Sequence, residues 1–202
     1  GKMGIEKSFE GDQKTPLGMY FITSSLDPNS LKDFYGAGAL PINYPNAYDT
    51  RRGKTGSGIW LHGVPQDQFA RRPLATDGCV VVSNPDLEDI LRRVETRTTP
   101  VAILPKIEWV NPAQSNADVI AFDRAFAAWR QAKESGDLAR TLSHYMPDFD
   151  SGGKKLSEWR DVLAKEIATS RQLELKDLSV LHWAENAQNA TMIVTFAEIQ
   201  QG

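Results

Sequence analysis

Apolar positions in the first half of the chain fall in short runs closed off by glycine, proline and other turn formers. GMYFITSSL follows the turn Thr15-Pro16-Leu17-Gly18, GIWLHG lies between glycines, CVVVS is β-branched and PVAILP is bracketed by prolines. Each run predicts a strand. Between the first two lies the stretch from Asp27 to Ser57, dense in Pro, Gly, Asn and Tyr. It exceeds the usual connection length, which predicts a functional or mobile loop. A helix is predicted from Asn84 to about Arg97, with Asn84 as N-cap, Pro85 at the first helical position, acids early and arginines late. That order suits the helix dipole. Leu87, Ile90, Leu91 and Val94 supply one apolar face for a core.

Beyond IEWVNPAQSNA, read as a linker over residues 107–117, the period lengthens from two to about 3.6. Val119, Phe122, Phe126 and Trp129 recur three and four apart, and Gly136 supplies a stop. A shorter helix is expected around Leu138–Tyr145, and a third in KLSEWRDVLAKEIATS with Trp159, Val162, Leu163 and Ile167 on one face. LELKDLSVLHWAE and ATMIVTFAEIQ then read as two strands joined by the polar turn Asn186-Ala187-Gln188-Asn189. The fold class is therefore α+β: a β-rich first domain over 1–106 and a smaller one over 118–202, helices first and a hairpin last.

Composition narrows the function classes. Of 202 residues, 41% are hydrophobic and 24% charged, as in folded globular chains, and the net charge is −3. Residues 1–110 carry 13 basic and 13 acidic side chains and 111–202 carry 10 and 13, so neither half has the basic excess of a nucleic-acid binder. One cysteine permits no internal disulfide and no cysteine-rich zinc site. No apolar run reaches the roughly 18 residues of a transmembrane segment. No signal peptide is visible, and the opening GKMGIEKSFEGD, without an initiator methionine, suggests an excised or processed segment.

That cysteine, Cys79, sits in ATDGCVVVSN. A lone cysteine is by default a small buried hydrophobe. Here Gly78 allows a tight turn before it, and the valines after it would fix the thiol at a strand mouth. Successive amides at such a turn can converge on one point, as an oxyanion hole requires. His62, at the end of GIWLHG, is the candidate base, and Gly63 leaves its carbonyl open to orient the ring. The alternative is a structural histidine on a half-buried strand. A cysteine with a histidine partner can exist largely as thiolate, its nucleophilic form. His144 and His182 lie in elements that read as packing faces. Arg51, Arg52, Arg71 and Arg72 flank the His62 strand and suit carboxylates, or are solvated loop charges. The tyrosines of INYPNAYD, Tyr44 among them, either line a groove or stiffen the loop.

Taken together, EGDQKTPLGMYFI, GSGIWLHGVP and ATDGCVVVSN closely resemble the L,D-transpeptidase (YkuD) catalytic domain over residues 4–105, with His62, Thr76, Gly78 and Cys79 on its signature positions. Asp77 stands where many members have a second histidine, and Val81 where many have Asn or Arg. The thirteen residues between His62 and Thr76 make a slightly short loop. The resemblance implies peptidoglycan chemistry in the bacterial cell envelope, periplasmic or extracytoplasmic, with no metal or organic cofactor. Cys79 would attack the carbonyl joining meso-diaminopimelate to the terminal D-alanine of a stem peptide. His62 would act as base and then acid, the Gly63 carbonyl would hold its tautomer, and amides near Gly78 and Cys79 would stabilise the oxyanion. Arg51, Arg52, Arg71, Arg72, Tyr44, Thr76 and Asp77 would contact substrate. The acyl group would pass to an amine or to water, and a catalytically inactive wall-binding module is the alternative. The second domain resembles the nuclear-transport-factor-like (SnoaL-like) cone, with TFAEIQQG stopping short of its completed sheet. There Trp129, Trp159 and Trp183 either form core or line a pocket for a glycan, and a protein partner is the other expected ligand.

Overall fold

The computed structural model describes residues 1–2, 6–107, 109, 111–169, 173–186 and 189–200, with the side chains of 112–116, 182–186, 189, 190 and 200 excepted. The chain divides into two compact units, Gly1–Glu108 and Trp109–Gly202.

In the first unit, β1 (Gly18–Phe21) pairs antiparallel with β5 (Pro100–Ile103), Gly18 opposite Ile103. A second sheet has the order β2 (Ala39–Pro41), β3 (Trp60–His62), β4 (Val80–Val81). β2 and β3 are antiparallel, whereas β3 and β4 are parallel, with Leu61 opposite Val80 and His62 opposite Val81. The parallel pairing sets Cys79, just before Val80, level with Trp60, two residues before His62 on the neighbouring strand. His62 closes one strand and Cys79 immediately precedes the other.

Four strands were expected in this half, and β2 is a fifth. It lies inside the stretch read as one long loop, together with 3-10 turns at Pro28–Ser30 and Asp33–Tyr35 and helix α1 (Ala47–Arg51). The Asn46 capping box, with side-chain and backbone bonds exchanged between Asn46 and Asp49, starts α1. Helix α2 (Asn84–Arg93) ends four residues earlier than Arg97, because Val94 turns extended at the C-cap. Its N-cap is Ser83, not Asn84. The Ser83 hydroxyl accepts the Asp86 amide and donates to the Asp86 carboxylate at 2.6 Å.

Two apolar clusters hold the unit together. Tyr20, Ile42, Tyr44 and Ile59 form one, and Ile22, Leu40 and Leu87 form the other, with Leu61, Ile90, Leu91 and Val94 packed against it. The apolar face anticipated for α2 is thus its core face. Burying each such side chain stabilises by about 1.5–3 kcal/mol.

In the second unit, α3 (Pro112–Glu134) begins inside the segment read as linker, at an Asn-Pro start. It is followed by α4 (Leu138–Leu142), the short hairpin β6 (Asp150–Ser151) and β7 (Lys154–Lys155), α5 (Leu156–Thr169), and the antiparallel pair β8 (Leu173–Asn186) and β9 (Asn189–Gln200). A register shift between Lys176 and Ser179 coincides with Asp177 at φ 52°, the mark of a bulge that bends the ribbon. Phe122, Phe126 and Trp129 stack along α3, with Phe126 and Trp129 both against Phe196 of β9. The Trp129 indole donates to Tyr145, and Trp159 packs on Phe149; both tryptophans are half-buried. The side chains of His182 and Trp183 lie outside the described residues. His144, expected on a packing face, is exposed: α4 turns Thr141 inward instead. No helix among the described residues is long and apolar enough to cross a membrane.

Candidate active site

Cys79 is held from below. Gly78 precedes it at φ 117°, and a Cβ there would come within 2.6 Å of the Lys14 carbonyl and 2.9 Å of Ile59 Cδ1. Only glycine fits that space and that dihedral. The GDQKTPLG string therefore forms the floor of the nucleophile turn. Asp12 organises that floor, accepting from Lys7 Nζ at 2.7 Å and from the amides of Ser8, Phe9 and Lys14. Burial pushes the Asp12 carboxyl up, but the Lys7 ammonium and the three amides outweigh it and hold the group well below the usual carboxylate range. Above the floor, the Thr76 hydroxyl donates to the Cys79 carbonyl at 2.8 Å and accepts the Gly78 amide at 3.4 Å. Thr76 thus ties the turn together from within. Asp77 is exposed beside the thiol.

His62 is 1% exposed. Its Nδ1 lies 2.7 Å from the Gly63 carbonyl oxygen. A carbonyl only accepts, so Nδ1 carries the proton and Nε2 keeps its lone pair. The ring sits under an aromatic roof supplied by the 3-10 turn at Asp33–Tyr35: Tyr35 meets it edge-on at 5.1 Å and Phe34 lies tilted at 5.8 Å. The Arg71 guanidinium is 3.8 Å from the Phe34 ring centroid, on an interaction typically worth 0.5–2 kcal/mol.

Protonation follows from this enclosure. Burial pushes His62 below the ordinary imidazole range; the Gly63 bond opposes the shift and Arg71 reinforces it. Burial pushes the Cys79 thiol up, and the Trp60 amide opposes it only in part. Both shifts run against the thiolate–imidazolium form that a histidine-paired cysteine can take. Burial outweighs the donors that face the sulfur. Among the described residues, the Sγ hydrogen bond goes to the Gly58 carbonyl at 3.6 Å rather than to the ring.

The structure separates the residues read as substrate contacts. Arg71 is brought to the pair, where its charge acts on both His62 and Cys79. Arg72 is exposed on the same loop, Arg51 is exposed at the end of α1, and Arg52 lies on the Tyr48 ring with a 3.1 Å bond to its hydroxyl. Tyr44 is 5% exposed, packs edge-on against Tyr20 and donates to the Thr55 carbonyl. It belongs to the core, and burial, with Asp49 nearby, pushes its phenol up to about 12. An apolar cleft of about 260 Å³ between Ile59, Trp60, Leu61, Val80, Val101 and Ile103 contains neither His62 nor Cys79.

Phe34, Tyr35 and Asn84 escaped the reading of the sequence. The aromatic pair sits in an irregular turn with no periodic signal. Asn84 was assigned to a cap that the Ser83-x-x-Asp86 spacing claims.

A family model described as the L,D-transpeptidase catalytic domain (YkuD) matches residues 1–103. The chain belongs to the L,D-transpeptidase catalytic-domain family. A second model, the Cds6 C-terminal NTF2-like domain, matches 121–201. Among solved structures, the helical cell shape determining protein Pgp2 of Campylobacter jejuni is similar at a TM-score of 0.70 and 24% identity, over 100% of this chain and 70% of that one. Bd1075 of Bdellovibrio bacteriovorus is similar at a TM-score of 0.64 and 26% identity, over 96% of this chain and 76% of that one. A comparison with curated proteins finds no match.

Proposed function

We propose that this L,D-transpeptidase family member performs cysteine-dependent acyl transfer on peptidoglycan stem peptides. The observation that carries the reading is the buried His62 imidazole, its Nδ1 2.7 Å from the Gly63 carbonyl oxygen, on the strand paired in parallel with the one Cys79 enters. Family membership and the similarity to a cell-shape determinant support the wall as its setting, extracytoplasmic by consequence.

In the first step, His62 Nε2 takes the thiol proton as Sγ attacks the carbonyl between meso-diaminopimelate and D-alanine. The C–S bond forms, the carbonyl π pair moves to oxygen, and the Cys79 amide receives the oxyanion, stabilising it by about 3 kcal/mol. Collapse breaks the C–N bond, and the imidazolium returns its proton to the departing D-alanine amine. A thioester on Cys79 remains. An acceptor amine or water, deprotonated by the same imidazole, then attacks the thioester and restores the thiol. General base and acid service of this kind contributes about 10²- to 10⁴-fold. Arg71 reads a stem carboxylate beside the scissile bond, its guanidinium kept in place by Phe34.

A second reading, a wall-binding module without turnover, draws on the thiol bond to Gly58 in place of one to His62. Unliganded sites commonly tighten such bonds only on substrate binding. Incubation with a disaccharide tetrapeptide, read by mass, decides between them. Loss of D-alanine to give tripeptide or a crosslinked dimer supports the enzyme, and unchanged tetrapeptide supports the module.

A further inference from the structure

His62 owes its orientation to one carbonyl, and what holds that carbonyl lies twenty residues downstream. Asn84 Oδ1 accepts the Val64 amide at 3.2 Å and the Ala37 amide at 3.1 Å, while its Nδ2 donates to the Val64 carbonyl at 2.9 Å. The opposite amide orientation would set an NH₂ against two N–H groups, so the assignment is fixed by its partners. The Val64 N–H and the Gly63 C=O belong to one planar peptide unit and point in opposite directions. Asn84 grips this plane at its N–H edge and His62 Nδ1 uses its C=O edge, 2.7 Å away. The other side of Gly63 is tied as well, its amide donating to the Tyr35 carbonyl at 3.1 Å.

Space around the carboxamide is reserved for it. A Cβ on either Gly36 or Gly63 would run into Asn84 Oδ1, so both glycines leave the room the side chain needs. The Ala37 bond extends the same anchor to the loop that carries Phe34 and Tyr35, the roof over the imidazole. The side chain sits on the first residue of α2, and Leu87 one turn later is 0% exposed in the core. The anchor is therefore mounted on a rigid element. Its cap duty is already discharged by Ser83, which leaves the Asn84 amide free for this task.

We infer that Asn84 is a positioning residue for the acyl-transfer site: its carboxamide locks the Gly63–Val64 peptide plane and the aromatic loop, and so sets the tautomer and orientation of His62. The inference rests on the reading of His62 as general base, but its physical core, the tautomer, is measurable without turnover. A donated N–H also strengthens the acceptor power of the carbonyl in the same unit, so loss of the Asn84 bond weakens the His62 bond as well as loosening it.

The test uses Asn84→Ala and Asn84→Asp in the full chain labelled with ¹⁵N-histidine, the His62 signals being assigned by their loss in His62→Gln. Asn84→Asp keeps two acceptor bonds, cannot donate to Val64, and places its charge favourably at a helix start, so it folds even if the alanine variant does not. Expected are a pure Nδ1–H form of His62 in the parent and in Asn84→Asp, whose carboxylate still accepts the Val64 amide, and a mixture with Nε2–H in Asn84→Ala. Alongside, kcat for D-alanine release should fall about 10- to 100-fold in Asn84→Ala with KM changed less than about threefold, the signature of a misaligned base rather than lost binding. A merely structural residue would lower the melting point and leave the tautomer alone. If folded Asn84→Ala keeps the Nδ1–H form and releases D-alanine within about twofold of the parent, or if Asn84→Asp shows the Nε2–H mixture despite keeping the Val64 bond, the inference is overturned. If the tautomer shifts but the parent releases no D-alanine, the positioning role stands and the proposed chemistry falls.

Discussion

Replacing Gly78 with alanine tests the construction of the nucleophile turn. The added Cβ meets the Lys14 carbonyl at 2.6 Å and Ile59 Cδ1 at 2.9 Å, and the residue must hold φ 117°. Neither neighbour can retreat freely. Lys14 is bound through its amide to Asp12, itself anchored by Lys7, and Ile59 is 2% exposed in the core. The dihedral costs about 1–2 kcal/mol and the overpacking about 1–3 more, for roughly 2–5 kcal/mol in all. Gly53→Ala isolates the first part, since Gly53 has φ 73° and nothing within 4 Å of its added Cβ. Urea unfolding of both variants should show Gly78→Ala the more destabilising by at least about 1 kcal/mol. D-alanine release should fall further, by about a hundredfold, because a shift of about 1 Å in the sulfur spoils the attack geometry. Equal costs at positions 78 and 53, or full activity in Gly78→Ala, would refute this account of the turn.

Three further outcomes follow from the same contacts. Alkylation of Cys79 by iodoacetamide should be slow at pH 7 and rise only above the ordinary thiol range, because burial raises its pKa; a fast plateau near pH 6 would mean a preformed thiolate. Arg71→Gln should raise KM for tetrapeptide at least about tenfold, whereas Arg51→Gln with Arg52→Gln should change it less than about twofold; equal effects would cancel the distinction between them. Asp12 has a folded pKa below its unfolded one, so its stabilisation is full above about pH 4 and lost as pH falls toward the folded value. Asp12→Asn should therefore cost about 2–3 kcal/mol at pH 7 and progressively less in acid, and a loss that does not shrink on acidification would contradict the ion-pair account.

The sequence was legible where chemistry and periodicity coincide. Leu87, Ile90, Leu91 and Val94 repeat at helical spacing, and the helix turns that face inward. Gly78 could be read as the turn before Cys79, whereas Gly63 is needed for the space that Asn84 Oδ1 fills, which no local pattern shows. Tyr44 could not be placed, because a tyrosine in a proline-rich stretch reads as groove or core alike until its hydroxyl partner, the Thr55 carbonyl, is known. The burial of Cys79 was hidden for a related reason. Residue identity supplies the donors but not the burial that outweighs them. β2 was hidden because three residues paired to β3 make too short an alternation to register.

The central claim, a thioester on Cys79, is tested most directly by the intact mass of the protein quenched in acid during turnover of a disaccharide tetrapeptide. The expected result is one adduct equal to the substrate less D-alanine, located on the peptide containing Cys79 and absent in Cys79→Ala. D-alanine release with no adduct on that peptide, or an adduct that persists in Cys79→Ala, would contradict it.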